Sequence, residues 1–467
     1  MRSAPVLLAL AAAVAAENGS FEEGLAGWTL ETGAERGDGP EASVEIDREV
    51  ARDGKASLRF ASDGAARRWP MAVQTIDCAA GSRLLLTVAA RCRGLRQEAG
   101  QFANANAVVI FLDGRGQRLG ILGSPALRDD RDWIDLHVHA LAPPGTAKAR
   151  VAVFSSMSGA AWFDDVRVSI ASADPNDAAA RAVAYEHLRL HIERTYPYFG
   201  LRPVDARADA NEPDIGKALR AMLAPFEDLH FWIELPGRNV YTVEGNPSPP
   251  NWDGSAIRAR LTEVLLEKGR HLVGRMGDIG YAALGAWSGE GFGEVEAALD
   301  RLADARALIL DVRANGGGDE RLAQRVAGRF AKEPTVYGRA QARDPTLPGR
   351  DGFLPPFDKR IEPAGKPDPR RVIVLQGPYC VSSTEWFLLM MRALDNVTTV
   401  GLPSRGATGN PQLFPLFPGI GVRVPSQRGL MLDGKLIERN GVPPEEEVGR
   451  GDKGTDAALE RAIELLR

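Results

Sequence analysis

Residues 372–391 constrain this chain most. A β-branched run, Val372 to Leu375, stops at Gly377 and Pro378; two adjacent hydroxyls, Ser382 and Ser383, follow, and Glu385 opens an apolar stretch with helical spacing. Strand, sharp turn and helix in that order belong to an α/β layer, because the helix carries the chain back to a parallel neighbour strand. A serine at such a turn has two uses. The turn exposes its Oγ, and the unpaired N–H groups of the first helical turn can hold a developing oxyanion. The run from Ser382 to Glu385 equally fits a capping box, in which Ser382 only caps the helix.

The rest of the second half repeats the alternation. The pattern predicts helices over 178–195 and 215–223, a strand at 231–235, loop from 236 to 254, and a strand at 279–284. A helix over 295–303, a strand at 307–312, a helix over 320–331, strands at 372–376 and 397–401 and a helix over 383–394 complete it. Such alternation argues for parallel strands covered by helices. Residues 17–170 read differently. Short alternating runs at 42–46, 56–60, 72–76, 83–88, 107–111 and 149–154, punctuated by Gly, Asp and Asn, predict an all-β sandwich. Residues 171–177, with Pro175 between acidic and amide residues, read as a linker. At 467 residues the chain is too long for one core, so several domains are expected.

The first sixteen residues read as an export signal. Arg2 supplies the positive end, residues 5–13 are apolar, and Val14-Ala15-Ala16 fits small-residue cleavage before Glu17. An exported protein, periplasmic or extracellular, with no later membrane span is expected. A net charge of −5 with no basic run argues against nucleic acid. Three cysteines make no disulfide framework: Cys78 and Cys92 can pair only if the fold joins them, and Cys380 reads as a buried free thiol. His187 and His191 share a helix face, and His137 and His139 share a strand face. Neither pair has a third metal ligand in sight, so structural roles are favoured over zinc.

Three further segments bear on the serine. Asp311-x-Arg313-x-Asn315-Gly316-Gly317-Gly318 runs a strand into three glycines, which let backbone N–H groups approach a ligand; a structural Asp311–Arg313 pair is the plainer reading. His230, with Asp228 two residues earlier, precedes a strand, and only six histidines are available as a base. Glu438 precedes a Gly441-Val442-Pro443 turn.

In this order, over roughly 180–450, the segments resemble the S41 serine peptidases, the family of tail-specific processing proteases and tricorn-type peptidases. The match rests on the Asp-x-Arg-x-Asn-Gly-Gly-Gly run and the Ser-x-x-Glu elbow. It also includes Val400-Gly401 with Gly406 to Gly409, Tyr196 to Phe199, and Asp228 to His230. The resemblance implies a crotonase-like α/β peptidase domain over 236–467, preceded by a small helical part at 178–235. It implies peptide-bond hydrolysis through an acyl-enzyme, without metal or organic cofactor. Ser382 would be nucleophile, His230 general base and Glu438 its support, with the Ser383 and Gly317 N–H groups as oxyanion donors. Where the processing proteases of the family carry a catalytic lysine, this chain has Ala407, so a serine–histidine–glutamate set is implied rather than a serine–lysine dyad. The relay serine that precedes the histidine in tricorn-type members is Leu229 here. The alternative is an inactive S41-like protein that binds a small apolar ligand or peptide. The opening Asn18 to Glu22 with Trp28 and the closing Trp162 to Val168 resemble carbohydrate-binding, galactose-binding-like jelly rolls. That implies the sandwich fold and allows a carbohydrate contact. Trp28 and Trp162 read as core rather than as a sugar platform.

Overall fold

The computed structural model describes residues 16–467 apart from 33–39, 65, 67, 97–103, 203, 247, 290 and 348–351. All but the last residue of the expected leader lie outside the described residues.

The N-terminal part is a sandwich of two five-stranded sheets. One has the spatial order Thr29–Thr32, Pro70–Asp77, Lys148–Ser155, Ala105–Leu112, Arg118–Gly123. The other runs Ser43–Asp47, Ser57–Ser62, Ser158–Ala171, Arg83–Arg96, Arg131–Leu141. Alternation decides what is buried: Leu84, Leu86 and Val88 of one sheet meet Val109, Phe111, Val151 and Val153 of the other. Trp28 is buried and donates to the Glu17 carbonyl, and Trp162 donates to Asp47 Oδ2 at 2.8 Å. Trp28 is core, as expected; Trp162 is buried on the outer face of its sheet instead, between the Arg59 and Arg91 guanidiniums, while Ala161 and Phe163 on either side face the core. Cys78, Cys92 and Cys380 are all buried free thiols.

In the C-terminal part, seven strands form one sheet in the order Glu263–Lys268, His271–Met276, Ile279–Leu284, Ala307–Asp311, Arg371–Gln376, Val397–Gly401, Glu446–Glu447. The first three pair antiparallel and the rest parallel. The central strands are apolar on both sides. Leu308, Leu310, Val372 and Val374 pack under the helices Phe292–Asp300, Glu320–Gly328 and Ser383–Arg392. Ile309, Ile373 and Leu375 pack against the helices Gly254–Arg260 and Ala457–Leu465. The helix expected over 295–303 begins earlier, because Gly291 caps it in the left-handed conformation and its C-terminal end unwinds into turns. The loop expected over 236–254 contains the strand Arg238–Tyr241, paired with Trp232–Leu235. Those two strands join Ile420–Val424 and Gln412–Phe417 in a four-stranded sheet. Helices Ala178–Thr195 and Ile215–Leu223 close a third core over that sheet, rich in Tyr196, Phe199, Phe226 and Phe231.

The sandwich and the C-terminal part meet across four of the six histidines. His137 and His139, on strand Arg131–Leu141, face His187 and His191, on helix Ala178–Thr195. The His139 ring lies 5.0 Å from that of His187 and 5.7 Å from Phe414. No group that could hold a metal ion occurs among the described residues. Burial pushes the histidines down, His137 and His187 to about 3, His191 to about 4 and His139 well below its ordinary value. Neighbouring Arg194 and Arg83 add to the effect, and Asp135 opposes it at His137. The fold therefore holds neutral rings that the unfolded chain protonates near pH 6.5. Stability is fully present above pH 6.5 and falls as pH drops toward 4, by about 1.4 kcal/mol per pH unit for each ring. Thermal melts are expected to show a steep loss across that window. His139→Leu, with one ring fewer to protonate, should make the loss shallower by about that ring's share; a melting temperature flat from pH 6.5 to 4.5 would contradict this reading.

Candidate active site

Strand Arg371–Gln376 and helix Ser383–Arg392 form the expected elbow. Ser382 stands between them at φ 60°, ψ −122°, outside the regions open to side-chain-bearing residues without cost. What holds it there is Glu385. Its fully buried carboxylate accepts from the Ser382 and Ala407 N–H groups through Oε2, at 3.1 and 2.9 Å. Through Oε1 it accepts from the Gly406 N–H and the Ser404 hydroxyl, each at 2.7 Å. Burial raises this carboxyl to about 7 against the pull of those four donors. The Ser382 N–H also reaches the Ala407 carbonyl at 2.9 Å. The sequence motif thus shows only part of what Glu385 does: it ties the serine to the loop at 404–407 as well as to its own helix.

The glycine run lies against the serine. A Cβ on Gly317 would come within 2.9 Å of the Ser382 Cβ, and one on Gly318 within 2.0 Å of the Trp287 carbonyl oxygen, so both must be glycine. The Ser383 hydroxyl donates to the Gly318 carbonyl at 2.7 Å. Its N–H belongs to the first helical turn, where no intrahelical acceptor exists. The Gly317 N–H, expected to face an oxyanion, donates instead to Asn315 Oδ1 at 2.9 Å. Asn315 also accepts from the Thr384 hydroxyl at 2.7 Å and so locks the glycine run to the start of the helix. Deeper down, Arg313 is fully buried and bidentate to both Asp311 and Asp456, at 2.6–2.9 Å. The plainer reading of the Asp-x-Arg pair holds: it is structural.

His230 is buried, and the Cβ of a residue replacing Gly409 would lie 3.0 Å from its ring. Burial lowers its pKa below the ordinary 6.5, and the Asp228 carboxylate pulls it back up. Its Nδ1 has no hydrogen-bond partner; the Asp228 Oδ1 is 3.8 Å away. Asp228 is itself held by the Tyr196 hydroxyl at 3.0 Å and by the His230 N–H at 2.9 Å.

Glu438 does not meet the histidine as expected. Its Oε1 accepts from Arg202 at 2.7 Å and its Oε2 from the Thr408 N–H at 3.1 Å, with both side chains almost wholly buried. Burial, then the Asp228 charge, push this carboxyl up, and Arg202 opposes them. Among the described residues the carboxylate nearest the imidazole is therefore Asp228, and Arg202 is the partner that sequence reading missed.

One loop gathers all of these groups. Ala407 contacts Ser382, Thr408 contacts Glu438 and Gly409 contacts His230, three consecutive residues for three segments scattered along the sequence. Beside them opens a cleft of about 520 Å³, whose walls include Ala407, Leu229, Pro378 and Glu438. Ser382 and His230 do not line this cleft, but Ala407, whose carbonyl accepts from the Ser382 N–H, and Leu229, which precedes His230, do.

Residues 278–448 match the model of peptidase family S41. Among solved structures, the chain is similar to a candidate peptidase from Parabacteroides merdae, at 26% identity and a TM-score of 0.52. That match covers 62% of this chain and 96% of the other. The photosystem II D1 C-terminal processing protease is similar at 18% identity and a TM-score of 0.30, over 45% of this chain and 51% of its own. The CBM22-1 xylan-binding domain of Paenibacillus barcinonensis Xyn10C is similar at 21% identity and a TM-score of 0.24, over 33% of this chain and 94% of its own. No curated protein matches the chain. No helix among the described residues is long and apolar enough to cross a membrane.

Proposed function

We propose that this protein, whose residues 278–448 match the model of peptidase family S41, is an exported serine peptidase that cleaves peptide bonds through an acyl-enzyme on Ser382. The observation that carries the reading is the loop at 407–409, which touches the strained serine, the buried glutamate and the buried histidine in turn. Ser382 Oγ attacks the carbonyl carbon. His230, kept neutral by burial, takes the hydroxyl proton and later gives it to the leaving amine. Asp228 stabilises the imidazolium that forms. Glu438 acts at one remove, by pairing with Arg202 and holding Thr408, the neighbour of the Gly409 that lies against the histidine. The Ser383 N–H receives the oxyanion; the Gly317 N–H can join it only as a donor shared with Asn315. Water then hydrolyses the ester. Export rests on the leader-like residues 1–16, and a sugar contact by the sandwich rests on its jelly-roll motifs.

A serine-reactive phosphonate is expected to label Ser382, and the protein to cleave members of a mixed peptide library. A folded protein that neither labels nor cleaves would sink the peptidase reading and leave the inactive binding protein in its place. The pH profile gives a second check. Hydrolysis needs neutral His230, so kcat/KM should fall on the acid side with a midpoint below 6.5. Asp228→Asn removes the charge that raises the imidazole, so that midpoint should move further down. An acid limb centred above 6.5 would contradict the assignment.

A further inference from the structure

We propose that the sandwich is held on the C-terminal part by an acid-released seam: protonation of the four clustered histidines frees it while both halves stay folded. Each half has a core of its own. The sandwich buries Leu84, Leu86, Phe111 and Val153, and the layer across the seam buries Tyr196, Phe226 and Phe231. Among the described residues, Leu141 is the sandwich hydrophobic that packs onto that second core. The rest of the seam is polar. Arg83 donates to the Pro415 and Leu416 carbonyls, Arg194 donates to the Asp135 carbonyl at 3.0 Å, and Arg131 pairs with Asp344 at 3.1 Å.

The histidine rings sit among these arginines. The His139 ring lies 5.0 Å from His187, 6.1 Å from His137 and 6.5 Å from His191. Both ring nitrogens of His139 and of His187 are buried without a hydrogen-bond partner among the described residues. Such atoms weaken the docked state, and water satisfies them once the seam opens. The charges that face the rings are one-sided. Arg83 comes from strand Arg83–Arg96, Arg194 from helix Ala178–Thr195 and Arg52 from the loop before strand Ser57–Ser62. Asp135 opposes them, but it is already paired with Arg52. Strand Gln412–Phe417 brings the Phe414 ring and no titratable group. A proton on any ring therefore adds a cation beside cations, away from water.

Release lets water reach the rings, which then take up protons near their ordinary 6.5. Burial keeps the docked rings below that value, so docking is complete above it and is lost as pH falls. Each ring that gains a proton on release raises the release constant about tenfold per pH unit, and four acting together make a sharp step.

The test uses the full chain, followed by small-angle X-ray scattering as pH is lowered from about 7 to about 4. Amide hydrogen exchange at 84–88 and 307–311 reports whether the two cores stay closed. The expected result is a reversible rise in radius of gyration with both cores still protected. The release constant should climb about a hundredfold or more per pH unit. In the His139→Gln/His187→Gln double variant that slope should fall by about a hundredfold per pH unit, because two rings no longer take up protons; the slope does not depend on how well glutamine packs. His271→Gln, at a histidine outside the seam, should leave the slope unchanged. Expansion only when the cores themselves open, a slope that survives the double variant, or an equal loss of slope in His271→Gln would each overturn the proposal.

Discussion

Replacing Ser382 by alanine is expected to lower kcat/KM by about 10⁴-fold or more with little change in KM, because the nucleophile is absent from every productive route. His230→Ala should cost a similar factor. The double variant should be no worse than either single one, since a base has nothing to activate once the serine is gone. Losses that multiply would mean that the two residues act independently, against the proposal. Ala407→Lys should not raise activity, because the reading assigns the base to His230. A substitution at the same place also tests the backbone. Ser382 at φ 60°, ψ −122° sits where glycine is at ease and serine is not, at a cost of about 1–3 kcal/mol. Ser382→Gly should therefore abolish hydrolysis while leaving the melting temperature unchanged or higher. A lower melting temperature would show that the elbow is not strained.

Arg313→Ala should be the most damaging substitution for stability. Its side chain is fully buried between two carboxylates, and removing it leaves Asp311 and Asp456 facing each other without a counter-charge. Breaking a buried pair from one side costs about 3–5 kcal/mol, a large share of a domain's total of about 5–15 kcal/mol. The Tyr281 hydroxyl, bound to Asp311 at 2.9 Å, and the Asn251 carbonyl lose their frame as well. Arg313→Lys keeps the charge but not the fork, so it should fall between wild type and alanine. Urea titrations would check both; a midpoint unchanged in Arg313→Ala would refute the account. Lost activity without lost stability would instead give Arg313 a role at the glycine run.

The parallel layer was legible because its strands are buried on both faces and so read as unbroken apolar runs, such as Val372 to Leu375. The strands Thr335–Ala342, Phe357–Ile361 and Gln427–Leu430 were not. They form a half-exposed sheet whose side chains mix arginine, glutamine and glycine with few apolar residues, and local pattern alone does not mark them. Ser382 and His230 could be proposed from sequence because their surroundings, the elbow and the Asp228–His230 turn, are local. The Arg202–Glu438 pair could not, since 236 residues separate its members and nothing near either one points to the other. Glu385 was visible only as a cap, because its bonds to Ser404, Gly406 and Ala407 arise when a distant loop folds over it.

The buried Arg83 limits how freely such a chain can be recombined. It leaves the sandwich to donate to the Pro415 and Leu416 carbonyls of the sheet on the other side, and burial lowers its pKa to about 10. A shortened chain that begins after the sandwich would expose those carbonyls, the Phe414 ring and the two helix histidines together. A different sandwich grafted in its place would need an arginine at the same spot. What reads in sequence as an appended module is, at this seam, a matched half, and the two halves would have to be exchanged as a pair.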